Sequence, residues 1–238
     1  MQHWPSGFNA ARLRSHYAET ALKLHLNRNW EIVLVFLLAP LQVVSGDLFV
    51  LVNDNPTPYP LLNLSVQLLA FLRQHLVPLF VPIFAALSIA CLFLPLAEKR
   101  RRLLIDVMYG LIALRLALLF LILNLMIFLP PSDRVLLFAQ LLLFVPCLLL
   151  VWGWIYWRVD SYFVATGKGR IFSSSTSGDD IPPPSDYFMA SFTSLLTKTL
   201  DNFNAKTRFG RSLIYVHGIM VWDIMGLALS RAIALAAA

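Results

Sequence analysis

The chain has 238 residues, of which 58% are hydrophobic and only 13% charged, and its mean hydropathy is +0.71; that balance excludes an ordinary soluble domain and predicts an integral membrane protein. The formal net charge of +6 does not point to nucleic acid, because the lysines and arginines cluster beside apolar segments, where they act as topology signals. The length accommodates one membrane domain, with no tract left for a separate soluble one.

Residues 1–29 set Arg12, Arg14, Lys23 and Arg28 against Leu13, Tyr17, Ala21 and Leu24 at helical spacing. The pattern predicts an amphipathic segment lying on the membrane surface, and a solvated leader helix fits it equally well. A cleaved signal peptide is not expected, since a signal's charged leader is normally much shorter.

A four-helix transmembrane scaffold is expected over residues 30–157. The first span runs from Trp30 to Val52, interrupted by Pro40 and by Gly46-Asp47, and Asn53 to Pro60 makes a turn-rich loop. A mixed segment, Leu61 to His75, leads into the second span, Leu76 to Ala97, which Pro78, Pro82 and Pro95 bend. Glu98-Lys99-Arg100-Arg101-Arg102 is a basic connector of the kind retained in the cytoplasm. The third span, Leu103 to Leu129, turns at Pro130-Pro131-Ser132-Asp133 into the fourth, Val135 to Trp157, which carries no charge. Trp152, Trp154, Tyr156 and Trp157 read as an aromatic belt at headgroup level, because nothing acidic neighbours them in sequence. Cys91 and Cys147 lie in separate apolar segments as small hydrophobes, not as a disulfide or metal pair.

Residues 158–185 change character, with Gly167-Lys168-Gly169-Arg170, a serine-rich stretch from Ser173 to Ser177 and then Pro182-Pro183-Pro184, and read as a flexible linker. Gly-Lys-Gly lacks the further glycine and the hydroxyl that a phosphate loop requires. In residues 186–238, the aromatic and hydroxyl-rich segment Asp186 to Thr197 is too short to span and stands directly before a turn and a membrane-length helix. That order is what a re-entrant loop requires, since irregular backbone survives at membrane depth only inside protein or beside water. On the final helix, Ser212 to Ala236, the residues Ser212, Val216, Ile219, Asp223, Gly226 and Ser230 share one face. A face of small and polar groups packs against protein or water, not lipid. The whole reads as an all-α polytopic membrane protein with about five transmembrane helices and one re-entrant pore-type helix.

This last region resembles the pore-loop cation channels, in particular the two-helix bacterial potassium-channel type. The resemblance rests on Asp186, Tyr187, Ser191, Phe192, Leu195 and Thr197, and on Arg211-Ser212-Leu213 at the start of the inner helix, and covers about a fifth of the 238 residues. It implies an ion-channel-like protein of a bacterial inner membrane, embedded in membrane lipid, a homo-oligomer on the tetrameric pattern, with inorganic ions as its cargo. Thr193, Ser194, Thr197, Lys198, Thr199 and Asp201 become the pore-loop candidates. The filter departs from the family, because Thr199-Leu200-Asp201 stands in place of glycine, tyrosine and glycine, with Lys198 just before. Glycine reaches the dihedrals that aim carbonyls at an ion, and threonine and aspartate do so far less readily. A potassium filter is therefore not expected, and a non-conducting scaffold or partner-binding subunit that keeps the pore-domain architecture is the alternative. In a tetramer, a ring of Lys198 and a ring of Asp201 would oppose each other in selectivity.

Arg115 and Asp223 lie near the middle of their spans, where each costs roughly 2.5–3.5 kcal/mol on insertion scales, so a mutual ion pair is expected, as an inter-helix staple or an ion site. Asp106 is expected to pair with the basic connector one turn away. His217 reads as a packing residue, since no second histidine or cysteine stands at metal spacing. No nucleophile, paired carboxylates or metal-ligand set converges in the pattern, so neither an enzyme nor a cofactor or metal site is expected. Of the lysines and arginines, 4 lie in the leader, 4 in the connector and 7 between Arg158 and Arg211, against Arg73 and Arg134 in the remaining loops. The positive-inside bias puts the first three groups in the cytoplasm, so the loop would dip in from that side.

Overall fold

The structure, a computed structural model, describes residues 30–52, 60–71, 74–75, 77–94, 97–125, 134–174, 182–196 and 203–236. These are mostly helical: α1 (Trp30–Val52), α2 (Pro60–Phe71), α3 (Val77–Phe93), α4 (Glu98–Leu125), α5 (Arg134–Ala165), α6 (Pro184–Leu196) and α7 (Arg208–Ala236), with two short strands, β1 (Phe172–Ser174) and β2 (Phe203–Ala205). Among the described residues three stretches are long and apolar enough to cross a membrane: Lys99–Asn124 in α4, Ala139–Ala165 in α5 and Arg208–Ser230 in α7. This is therefore a membrane protein. Two further apolar helical stretches, Trp30–Val44 and Val81–Phe93, are shorter among the described residues. Pro40, Pro82 and Pro146 sit inside helices, a placement that membrane helices tolerate.

The central element is α5, whose apolar stretch is 61% buried, against 39% for that of α4 and 22% for that of α7. It touches two helix pairs, α1 with α4 and α6 with α7, and its closest packing is against α6. On α4, Ile105, Met108, Ile112, Leu116, Leu119 and Leu123 are buried at helical spacing, which fixes the face turned to α1 and α5.

The segment expected as a flexible linker is in its first part ordered. Helix α5 continues eight residues past Trp157 to Ala165 and ends in a Schellman motif. The Lys168 N–H bonds the Phe163 carbonyl at 3.0 Å, the Gly167 N–H bonds the Val164 carbonyl at 3.1 Å, and Gly167 takes a φ of 72°. Only glycine adopts that left-handed geometry without penalty, so the sequence position of Gly167 sets the helix end. Beyond the turn, β1 pairs antiparallel with β2 in the register Phe172↔Ala205, Ser173↔Asn204, Ser174↔Phe203.

Candidate functional site

Where α1, α4 and α5 meet, four charged side chains form one network. Glu31, fully buried in the first turn of α1, accepts from Arg102 Nη1 at 2.6 Å through Oε2 and from Trp154 Nε1 at 2.9 Å through Oε1. Its backbone carbonyl accepts from the Tyr109 hydroxyl at 2.9 Å. Arg102 also donates to Asp106 Oδ1 at 2.6 Å, and Arg158 grips the same carboxylate with both arms, at 2.8 and 2.6 Å. The pairing of Asp106 with the basic connector is thus as expected, and a second arginine joins it. Buried ions persist only when paired and hydrogen-bonded, and here each carboxylate has at least two donors.

The aromatic cluster at the end of α5 is not a lipid-facing belt. Trp152, Trp154, Tyr156 and Trp157 are all buried, because each has a partner inside the protein. Trp154 stacks on Tyr109 at 4.0 Å, Trp157 packs edge-on against Trp30 at 5.1 Å with Arg102 over its ring at 5.4 Å, and Trp152 stacks on His217 at 4.9 Å. The acid that sequence neighbours did not show, Glu31, arrives from α1.

On the other side of α5, Asp160 is the anchor. Oδ1 of this fully buried carboxylate accepts from the backbone N–H groups of Ile171 at 2.6 Å and Phe172 at 3.2 Å, and Oδ2 accepts from the Tyr187 hydroxyl at 2.6 Å. Arg170 lies 3.7 Å away. Burial, the Asp160 charge and the hydrogen bond to it together push the Tyr187 hydroxyl far above the ordinary tyrosine range, so it stays a donor. One carboxylate thereby ties the end of α5, strand β1 and the first turns of α6 together.

Helix α6 starts at Pro184 with Asp186 in its first turn, a favoured opening because proline needs no N–H partner there and an acid complements the helix dipole. It then descends alongside α5. Phe188 packs so closely on Gly153 that a Cβ there would lie 2.4 Å from its ring, and the Ser191 hydroxyl donates to the Leu149 carbonyl at 2.7 Å. From Asp160 to Leu149, α5 rises about 16 Å, about half the hydrocarbon thickness of a bilayer. After α6 the chain is back at the starting level by β2, where the Phe203 ring lies 5.4 Å from Tyr187, 4.7 Å from Phe172 and 5.7 Å from Tyr156. Both ends of the α6 segment thus lie against the same end of α5.

Of the pore-loop candidates, Thr193 and Ser194 are half-buried, and their hydroxyls donate to carbonyls of their own helix, Ala190 at 3.0 Å and Ser191 at 2.6 Å. Thr197, Lys198, Thr199 and Asp201 lie outside the described residues. Arg115 and Asp223 do not pair. Arg115 sits in the seam between α4 and α1, donating to the Gln42 carbonyl at 3.3 Å, beside the Gln42 side chain that donates to the Ile112 carbonyl at 3.1 Å. Asp223 belongs to α7, which packs on α5 and α6, and its buried Oδ2 has no hydrogen-bond partner. The two residues sit with different neighbours, and no ion pair or hydrogen bond joins them among the described residues.

No protein-family model, curated protein or solved structure matches this chain. Its chemistry therefore rests on its own residues. His217 is fully buried with Nδ1 2.8 Å from the Tyr156 hydroxyl, and its Nε2 has no hydrogen-bond partner. Among the described residues no three His, Cys, Asp or Glu side chains converge as a metal site. Glu31 and Asp160 were not singled out by pattern reading. The signal available was position, since each carboxylate stands at the edge of a long apolar run, Glu31 beside Trp30 and Asp160 two residues before Tyr162.

Proposed function

We propose that this is an ion-channel-like integral membrane protein in which α5, α6 and α7 act as outer helix, re-entrant helix and inner helix. The observation that carries this reading is that α6 starts at one end of α5, where Tyr187 meets Asp160, and reaches the Leu149 level at Ser191, while Phe203 of β2 lies against Tyr187 again. A helix hydrogen-bonded along its length to a neighbour is the form in which non-spanning backbone is tolerated at membrane depth. In this reading α1 and α3 complete five spans, and the basic end faces the cytoplasm of a bacterial inner membrane. Chains assemble as a homo-oligomer, a tetramer by the resemblance, with inorganic ions passing near Lys198 and Asp201. The exposure of the α7 face that holds Ser212, Val216, Ile219, Gly226 and Ser230 supports assembly, because small and polar groups are poor partners for lipid.

A second reading, a non-conducting scaffold with the same architecture, is favoured by the hydroxyls of Thr193 and Ser194. These bond back to their own helix and so give an ion little to coordinate. Ion flux into liposomes holding the purified protein separates the two. The channel reading expects flux in the wild type, with selectivity shifted toward anions by Asp201→Asn and toward cations by Lys198→Ala. Zero flux of cations and anions from folded, oligomeric protein would overturn it in favour of the scaffold.

A further inference from the structure

One end of the molecule carries a cluster of outward-facing positive charge. Lys99 and Arg100 open α4, Lys168 stands on the turn that ends α5, Lys206 follows β2, and Arg208 and Arg211 open α7; all six are exposed. The contacts place them at one level. Arg102 and Asp106 of α4 meet Trp157 and Arg158 of α5, Lys168 packs over the Phe163 ring at 5.6 Å, and Phe209 of α7 stacks on the same Phe163 at 6.0 Å. Among the described side chains no acid is exposed at this end. Glu31 and Asp160 are fully buried, Asp106 is shared between two arginines, and Asp186 is half-buried in the first turn of α6.

The same level is where the three membrane-length stretches terminate, at Lys99, Ala165 and Arg208. Half-exposed aromatic rings, Tyr162 and Phe209, accompany the charges, as is usual where hydrocarbon gives way to headgroups. We infer that this rim is a binding surface for anionic phospholipid, with the lysine and arginine heads holding headgroup phosphates and the two rings resting between acyl chains. The Schellman turn gives the rim a fixed point, because Gly167 and Gly169, at φ 72° and 81°, bracket Lys168, which is held over the Phe163 ring at the end of α5. Charge complementarity selects the occupant. A zwitterionic headgroup offers no net charge to six exposed cations, whereas each Lys or Arg near an anionic surface strengthens binding about fivefold.

The test uses the full chain purified in a neutral detergent, with phosphatidylglycerol or phosphatidylcholine added and bound lipid counted by native mass spectrometry. Phosphatidylglycerol should be retained preferentially. Replacing Lys99, Arg100 and Lys168 by glutamine, or Lys206, Arg208 and Arg211 by glutamine, should each weaken its retention by about fivefold per residue removed. Because either triple variant could fail to fold, the wild type is also titrated with salt, which should release the lipid as screening shortens the reach of surface charges. Equal retention of the two lipids by the wild type would overturn the proposal, as would salt-insensitive binding. Inorganic phosphate that displaces the lipid completely at millimolar concentration would identify a free-anion site instead.

Discussion

The two sides of α5 solve the problem of charge in a membrane protein differently. Toward α1 and α4, Glu31, Arg102, Asp106 and Arg158 satisfy one another, and Trp154 and Tyr109 take up the remaining acceptors. Toward α6 and α7, Asp160 is as fully engaged, but His217 Nε2 and Asp223 Oδ2 are buried without partners. On the first side the four charges are paired within one chain, although Trp30 Nε1, Trp157 Nε1 and Gln42 Oε1 are also buried there without hydrogen-bond partners. On the second side a carboxylate oxygen, Asp223 Oδ2, is left without one, and it is also where α7 leaves most of its surface uncovered. On the oligomer reading proposed above, the uncovered surface of α7 would meet a neighbouring chain.

The largest effect should come from the side with the four paired charges. Glu31→Ala leaves the Arg102 guanidinium and the Trp154 N–H without their acceptor in a fully buried place. Removing one partner of a buried ion pair typically costs 3–5 kcal/mol, and retention of Asp106 by Arg102 puts the expected loss near the lower bound, about 3 kcal/mol. Thermal unfolding in detergent measures it. A shift no larger than that of a surface substitution would mean that the network is ornamental and the contrast between the two sides false.

An intermediate effect is expected at Gly153. A methyl there would stand 2.4 Å from Phe188 Cδ1 and 3.0 Å from Phe188 Cα, so Gly153→Ala has to push α6 off α5. Overpacking of this kind costs about 1–3 kcal/mol. Adding Phe188→Leu should recover only part of the loss in unfolding temperature, because the backbone of α6 is also in the way. Full recovery would show that a ring, and not the close approach of two helices, sets the limit.

What could be read in the sequence follows from how local each signal is. Apolar runs and charged connectors are contiguous, and the stretches around Leu103, Val135 and Ser212 were accordingly identified as membrane-length helices. The Asp106 pairing lies one turn from its arginine and was equally legible. Glu31 meets Trp154 across 123 positions, and no pattern within a window can show that, so the tryptophans of α5 looked like interfacial anchors. The order in residues 158–174 was hidden for a similar reason. Its composition is that of a linker, yet Asp160 reaches forward to the N–H groups of Ile171 and Phe172 and to Tyr187. The pairing expected of Arg115 and Asp223 rests on energy alone, with no local pattern behind it, and Arg115 donates to the Gln42 carbonyl of an adjacent helix.

The smallest effect should be found at Asp223, and it is the sharpest test of the contrast. Within one chain Oδ2 accepts no hydrogen bond, so Asp223→Asn removes a charge without breaking a bond made by that atom. The unfolding temperature of solubilised single chains should then change by less than the equivalent of about 0.5 kcal/mol, the usual range for substitutions that touch no special feature. It should rise, if it moves at all, because an unpaired carboxylate at a helix centre is itself unfavourable. The decisive comparison is with the assembled protein. Where a neighbouring chain supplies the missing donor, Asp223→Asn should lower the oligomer's stability while leaving the single chain unchanged. A loss in the single chain as large as that of Glu31→Ala would instead mean that α7 is completed from within, and the two sides of α5 would no longer differ.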